Sequence, residues 1–236
     1  KMLPDIEEAT VEDTRVCGEV SSLLHRAGSF EAGVSLEQRR YNILFNKLGS
    51  EHPSTLHAMS RLGRLYYSQG RYDEAEQLAK PTLKIQEQTL GLEHPDTLRT
   101  MNNLARLYTS QGKYNKSEQL YMRVLEVQEK EWGLEHPRTL SLMYNIGNLY
   151  ESQGEYKRSE QWYRRVFEIQ KEALGLEHPD TLKTMNSLGD LHQRQLRYTD
   201  AEQLYTRVFE VQEKKLGLEH PDTLNSMNSL GSLYYS

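Results

Sequence analysis

A single cysteine, Cys17, stands among 236 residues. That excludes an intrachain disulfide framework and any cysteine-based zinc site; it fits a reducing compartment, so a cytoplasmic location is expected. No apolar run approaches the roughly 18 residues that suggest a membrane span, and no signal peptide is visible, so no membrane partner is expected. Basic excess is missing too: 29 Lys and Arg face 34 Asp and Glu, a net charge of −5. With a pI near 6.0, the electrostatic footprint of general nucleic-acid binding is absent. No G-x-x-x-x-G-K-[ST] occurs and no G-x-G-x-x-G follows a strand, so phosphate-cradling loops are not expected. No nucleophile, base and orienter are brought together by the pattern. Neither a cofactor nor an enzymatic activity is therefore expected. Hydrophobic residues are 36% and mean hydropathy is −0.79, low for one deep core. The opening Lys1-Met2-Leu3-Pro4 is not a natural start, and the chain reads as an excised fragment or a mature piece.

What is present is repetition, the first thing to test in any sequence. His-Pro recurs at His52-Pro53, His94-Pro95, His136-Pro137, His178-Pro179 and His220-Pro221, in steps of 42 residues. Residues 91–98, 175–182 and 217–224 all read GLEHPDTL. Thirteen of 15 glycines and five of seven prolines fall on the same period. The chain is one repeat domain: a tail at 1–9, a degenerate capping repeat at 10–51, full repeats at 52–93, 94–135, 136–177 and 178–219, and a truncated repeat at 220–236.

Residues 94–135 show what one period encodes. Leu98, Met101, Leu104, Ala105 and Tyr108 form one helical stripe. Pro95 suits the first helical position, Asp96 opposes the positive end of the macrodipole, and Gly112 provides the stop. A second helix runs from about Tyr114 to Glu131, its stripe being Tyr114, Ser117, Leu120, Tyr121, Val124, Leu125 and Gln128. Such an α-hairpin cannot bury its stripe alone, and stacked hairpins make an all-α solenoid. The repeated Glu-His pairs invite a metal reading. Zinc needs ligands within about 2.3 Å, whereas histidines on neighbouring hairpins should stand on the order of 10 Å apart. Each His is expected to border or cap the first helix, and no metal is expected.

Met101, Leu104-Ala105, Tyr108, Ser117 and Tyr121, and in the next copy Met143, Ile146-Gly147, Tyr150, Ser159 and Tyr163, resemble the tetratricopeptide repeat. The usual period is 34 residues; this longer unit is similar to the kinesin-light-chain type and to arrays C-terminal to the nucleotide-binding domain of fungal NLR-like (STAND) proteins. The resemblance implies a right-handed superhelical α-solenoid of tandem helix-turn-helix repeats. There are departures. Gly33 takes the small position and Glu37 the aromatic position of the first unit, which keeps Gly28. Leu196 replaces a turn glycine and His192 a tyrosine, putting that turn's geometry in question. Pro81 should kink or locally open its helix.

In arrays of this type the first helix of each repeat lines a concave groove. That implies a peptide-binding set of His57, Arg61, Arg64 and Tyr67, then Arg99, Asn102, Asn103 and Arg106, then Tyr144, Asn145 and Asn148, then Lys183 and Asn186. Asparagine both donates to and accepts from a peptide backbone, and arginine offers carboxylates a fork. The arginines of the second and third repeats predict an acidic extended segment as ligand, with Asn102, Asn103, Asn145 and Asn148 gripping its backbone. The expected function is a non-catalytic protein-interaction scaffold; the alternative is the sensor or autoinhibitory arm of a fungal NLR-like (NB-ARC/NACHT) receptor. Leu224, Met227, Leu230 and Tyr234 lack a second helix to cover them, so either self-association through the open C-terminal helix or a native chain that continues is expected.

Overall fold

A computed structural model describes residues 11–26 and 29–234; the expected tail at 1–9 and Gly28 lie outside them. Among the described residues there are eleven α-helices and no strand. In chain order the hairpins are α1 (Val11–Arg26) with α2 (Phe30–Leu48), α3 (Pro53–Ser68) with α4 (Tyr72–Thr89), and α5 (Pro95–Ser110) with α6 (Tyr114–Trp132). Next come α7 (Pro137–Ser152) with α8 (Tyr156–Leu174), α9 (Pro179–Arg194) with α10 (Tyr198–Leu216), and a lone α11 (Pro221–Tyr234). The chain divides into two compact units, residues 1–120 and 121–236. Within each, helices pack mainly on their neighbours in sequence, α1 to α5 in the first and α7 to α11 in the second. This is the tandem helix-turn-helix architecture that the repetition predicts.

The five prolines each open a helix because the histidine before them caps it. His52, His94, His136, His178 and His220 each accept a hydrogen bond at Nδ1 from the backbone N–H two residues on, at 3.1–3.2 Å. At His94 the backbone is extended, with φ −64 and ψ 135, the geometry of a residue outside the helix whose side chain satisfies an orphan donor. No group of three His, Cys, Asp or Glu among the described residues could hold a metal ion.

Packing follows the stripes. Leu98, Met101, Leu104, Ala105 and Tyr108 are all buried, and so are Thr97, Thr100 and Leu107. The stripe is wider than its apolar pattern because α5 meets both α3 and α4. Full burial of each large apolar side chain contributes about 1.5–3 kcal/mol. Successive repeats are also clasped electrostatically. Glu76 on α4 meets Lys113, after α5, at 2.8 Å, and Glu160 on α8 meets Arg197, after α9, at 3.1 Å. Burial by itself would raise the Glu160 pKa; hydrogen bonds from Arg164, Arg197 and His192 outweigh it and hold it at about 2. His192, where other repeats carry tyrosine, is buried in this clasp with Nε2 3.3 Å from Glu160.

Two expected irregularities are milder than their residues suggest. Helix α4 runs unbroken through Pro81. Proline has no N–H to offer Gln77, but both residues are exposed, so water can take the carbonyl. The turn at Leu196 keeps the geometry of the glycine turns: φ is +60, against +71 at Gly112, and Arg197 N–H reaches the His192 carbonyl at 2.9 Å as Lys113 N–H reaches Tyr108 at 2.8 Å. Leu196 carries the left-handed cost of an L side chain, about 1–2 kcal/mol, and is 71% exposed, so its side chain returns little. Leu196→Gly should therefore raise unfolding stability by about 1 kcal/mol. Urea denaturation checks this; an unchanged or lower midpoint would mean that the side chain is held by contacts stronger than its exposure implies.

Candidate functional site

The expected groove residues of the first unit lie on α3 and α5, whose first helical position is set by Pro53 and Pro95. From that start His57, Arg64, Arg99 and Arg106 project to an exposed face, with Arg61, Tyr67, Asn102 and Asn103 half-buried beside them. The arginines do not act alike. Arg61 is tied inward: its guanidinium donates to the Gly18 carbonyl at 2.7 Å and to Ser22 Oγ, and its Nε stands 3.4 Å from Glu37. Arg99 pairs with Asp96 on its own first turn at 2.9 Å. Arg106 lies over the Tyr67 ring, 5.2 Å from its centre. Arg64 has no carboxylate within ion-pair distance among the described residues. Burial and then crowding by Arg61 and Arg99 lower its pKa. His57 reports the same field: burial first, then Arg40, Arg61, Arg99 and Arg64, hold it down to about 4. The face is thus a concentration of cationic groups in a chain that is acidic overall.

Glu37 was visible in the sequence only as a misfit at an aromatic position. Its carboxylate is fully buried, 2.8 Å from Arg40 and 3.4 Å from Arg61. The signal was indirect: a lone acid on a core stripe requires buried cations, and Arg40, three residues on, was one.

The second unit's face is built differently. Tyr144 donates to or accepts from Ser187 Oγ at 2.7 Å, stacks on Tyr163 at 5.3 Å, and lies beneath the Lys183 ammonium, 4.6 Å from the ring centre. Tyr163 Oη lies within hydrogen-bond distance of Asn148 Oδ1 and, at 2.9 Å, of Glu151, its one proton shared between the two acceptors. Tyr205 Oη repeats this with Asp190 at 2.6 Å and Gln193 at 3.2 Å. Burial, then the neighbouring acids Glu151 and Asp190, push both phenols far above their usual range. Glu151 also pairs with Arg194 at 3.1 Å. Asn145 and Asn186 are half-buried on the same face. So Asn148 has its carbonyl committed to a tyrosine and retains its NH2 for other partners, while Lys183 is engaged with an aromatic ring. This face is mixed in charge, in contrast to the first. At the end of the array, Leu224, Met227 and Tyr234 on α11 are exposed, while Leu230 packs on Ala201, Tyr205 and Leu233.

Comparison with known proteins identifies the repeat. Models of the tetratricopeptide repeat match residues 19–85, 54–130, 138–214 and 181–236, and again 95–171. Among curated proteins no match reaches significance. Among solved structures the chain is similar to a Podospora anserina kinesin-light-chain-type protein of nearly identical repeats: TM-score 0.75, 28% identity, covering 88% of this chain and 98% of that one. It is similar to BtubC (BKLC) from P. vanneervenii at 25% identity, TM-score 0.71, covering 89% and 82%. A STAND protein with a tetratricopeptide repeat sensor from Pyrococcus horikoshii shares the fold at 13% identity, TM-score 0.71, over 95% of this chain and 33% of that one. Among the described residues no helix is long and apolar enough to cross a membrane.

Proposed function

Because the chain belongs to the tetratricopeptide repeat family, we propose that it is a non-catalytic protein-interaction scaffold whose first unit takes an acidic, extended protein segment. The observation that carries this reading is the α3–α5 face. Among the described residues Arg64 and Arg106 stand there without a carboxylate partner, and burial together with the neighbouring cations depresses the His57 pKa. A positive potential on a partly desolvated surface focuses toward an anionic ligand. Arg61 is left out of the contact set, since Glu37, Gly18 and Ser22 occupy it. Asn102 and Asn103 supply backbone contacts alongside the arginines. A second reading, the sensor arm of a receptor, is favoured by the fold shared with the Pyrococcus STAND sensor. The exposed Leu224 and Met227 on α11 support self-association as an additional property.

The test is Arg64→Glu with Arg106→Glu, titrated with a fluorescent oligoglutamate peptide at low and high ionic strength. Wild type should bind at low salt and weaken as salt rises, because exposed charges are screened beyond roughly 10 Å at 0.1 M. The double reversal should abolish binding. Losing an arginine desolvated against a carboxylate costs about 2–5 kcal/mol and losing a rim arginine under about 1 kcal/mol, so the single variants rank the two positions. Salt-independent binding, or binding unchanged in the double variant, would remove this face from the function.

A further inference from the structure

The second repeat lacks a side chain that its relatives in the same chain possess. One position on the second helix of each repeat carries Tyr121, Tyr163 and Tyr205, but the copy in the second repeat is Ala79. In two of these three copies the position facing the tyrosine is glycine, and in the third it is Ala105: a Cβ added to Gly147 would stand 2.4 Å from the Tyr163 ring, and one added to Gly189 2.6 Å from Tyr205. Gly63, the corresponding residue of α3, meets nothing closer than 3.7 Å. The glycine that makes room for a ring is kept, and the ring is missing. In its place is a cleft of about 50 Å³ between α3, α4 and α5.

The cleft is apolar at its floor, on Met59, Ala75, Ala79 and Leu107, and its mouth is framed by Arg64 and Arg106. Its polar chemistry is inverted relative to the filled copies. Tyr163 and Tyr205 donate their hydroxyls to acceptors, Asn148 and Asp190; the residue two periods before the first and three before the second is Arg64, a donor with no acceptor to match. Within the wall, Thr100 is 3% exposed and its Oγ1 has no hydrogen-bond partner.

We propose that this cleft is a binding site for a small aryl carboxylate, whose ring takes the space of the missing tyrosine and whose carboxylate is held at the mouth by Arg64 and Arg106. The ring requirement comes from the space beside Gly63 and Ala79 where other copies hold a tyrosine ring, and the charge requirement from the arginines. Crowding of Arg64 by Arg61 and Arg99 means that an anion at the mouth relieves an existing repulsion. The inference goes beyond the scaffold reading: it concerns a free small molecule and does not need a protein partner.

The experiment is a titration of the whole chain with 3-phenylpropionate, followed by ligand-observed NMR. Propionate serves as the ringless control and 3-phenylpropan-1-ol as the uncharged one. Saturable binding of 3-phenylpropionate is expected, with propionate silent and the alcohol weaker by about tenfold or more. Ala79→Tyr and Ala79→Phe should each abolish it by filling the slot, and Arg64→Gln should weaken it to the level of the alcohol. Helical circular dichroism and a melting curve establish that each variant is folded; if one tyrosine or phenylalanine variant fails that check, the other and Arg64→Gln decide. No saturation at the solubility limit, undiminished binding by a folded Ala79 variant, or recognition of a ring only within a longer peptide would overturn the assignment. Oligoglutamate titrated against wild type in parallel keeps the two readings apart. Loss of the peptide with retention of 3-phenylpropionate removes only the acidic-segment reading, and the reverse removes only this one.

Discussion

Arg61→Ala should destabilise the chain by about 3–5 kcal/mol, the cost of removing one partner from a buried ion pair, whereas Arg64→Ala, three residues along the same helix, should change stability by less than about 0.5 kcal/mol. The difference lies in what each guanidinium faces. Glu37 has no exposed surface, and its carboxylate is served by Arg40 and Arg61, themselves 12% and 21% exposed at the side chain. Deleting Arg61 leaves a buried carboxylate with one cation and deprives the Gly18 carbonyl of its 2.7 Å donor. Arg40 remains, which favours the lower end of the range. Urea denaturation gives the energy, and hydrogen exchange should place the loss in α1, α2 and α3. Glu37→Leu together with Arg40→Leu in the Arg61→Ala background should recover much of the stability, because replacing the whole ionic cluster by apolar residues leaves no charge to desolvate. If Arg61→Ala and Arg64→Ala prove equally mild, Arg61 is a surface residue and rejoins the ligand-binding set.

The second large effect is expected at Tyr163. Tyr163→Ala should cost about 3–5 kcal/mol, as for other large aromatic truncations in cores. Its side chain is fully buried, lies against the bare backbone of Gly147 and stacks on Tyr144. Its hydroxyl serves Asn148 and Glu151. Tyr163→Phe separates the two contributions. It retains the ring and should cost about 1.5–3 kcal/mol, the value of a hydrogen bond to a charged group. Thermal and denaturant melts of both variants check the ordering. Equal losses for Phe and Ala would mean that the hydroxyl network, rather than ring packing, holds this repeat together, and would weaken the premise that Ala79 leaves a ring-shaped vacancy.

Much of the architecture was legible because its determinants are local. Proline at a helix start, a side chain that reaches the second N–H beyond it, and an apolar stripe of helical spacing act within a few residues, so Pro95, His94 and the Leu98–Tyr108 stripe specify α5 from sequence. Leu196 and Pro81 were legible as irregularities but not in their outcome. An exposed turn tolerates a left-handed leucine at a modest energetic cost, and an exposed helix face loses one carbonyl partner to water instead of opening.

The site was less legible. The periodic argument assigns Arg61 and Arg64 to one face with one role, since both have groove-facing positions in the repeat. Only the packing of α3 on the first hairpin separates them, through contacts that reach 43 residues back to Gly18 and to a buried acid. Ala79 is likewise an ordinary small residue when read along the chain. It becomes a cleft only because Gly63, across the hairpin, is shaped for a ring. The sequence by itself determined the period, the helix bounds and the caps, which depend on backbone hydrogen bonding and on residues in the same turn. The tertiary structure alone decided which charges are neutralised and where volume is left unfilled, because ion pairing and packing depend on side chains brought together from neighbouring repeats.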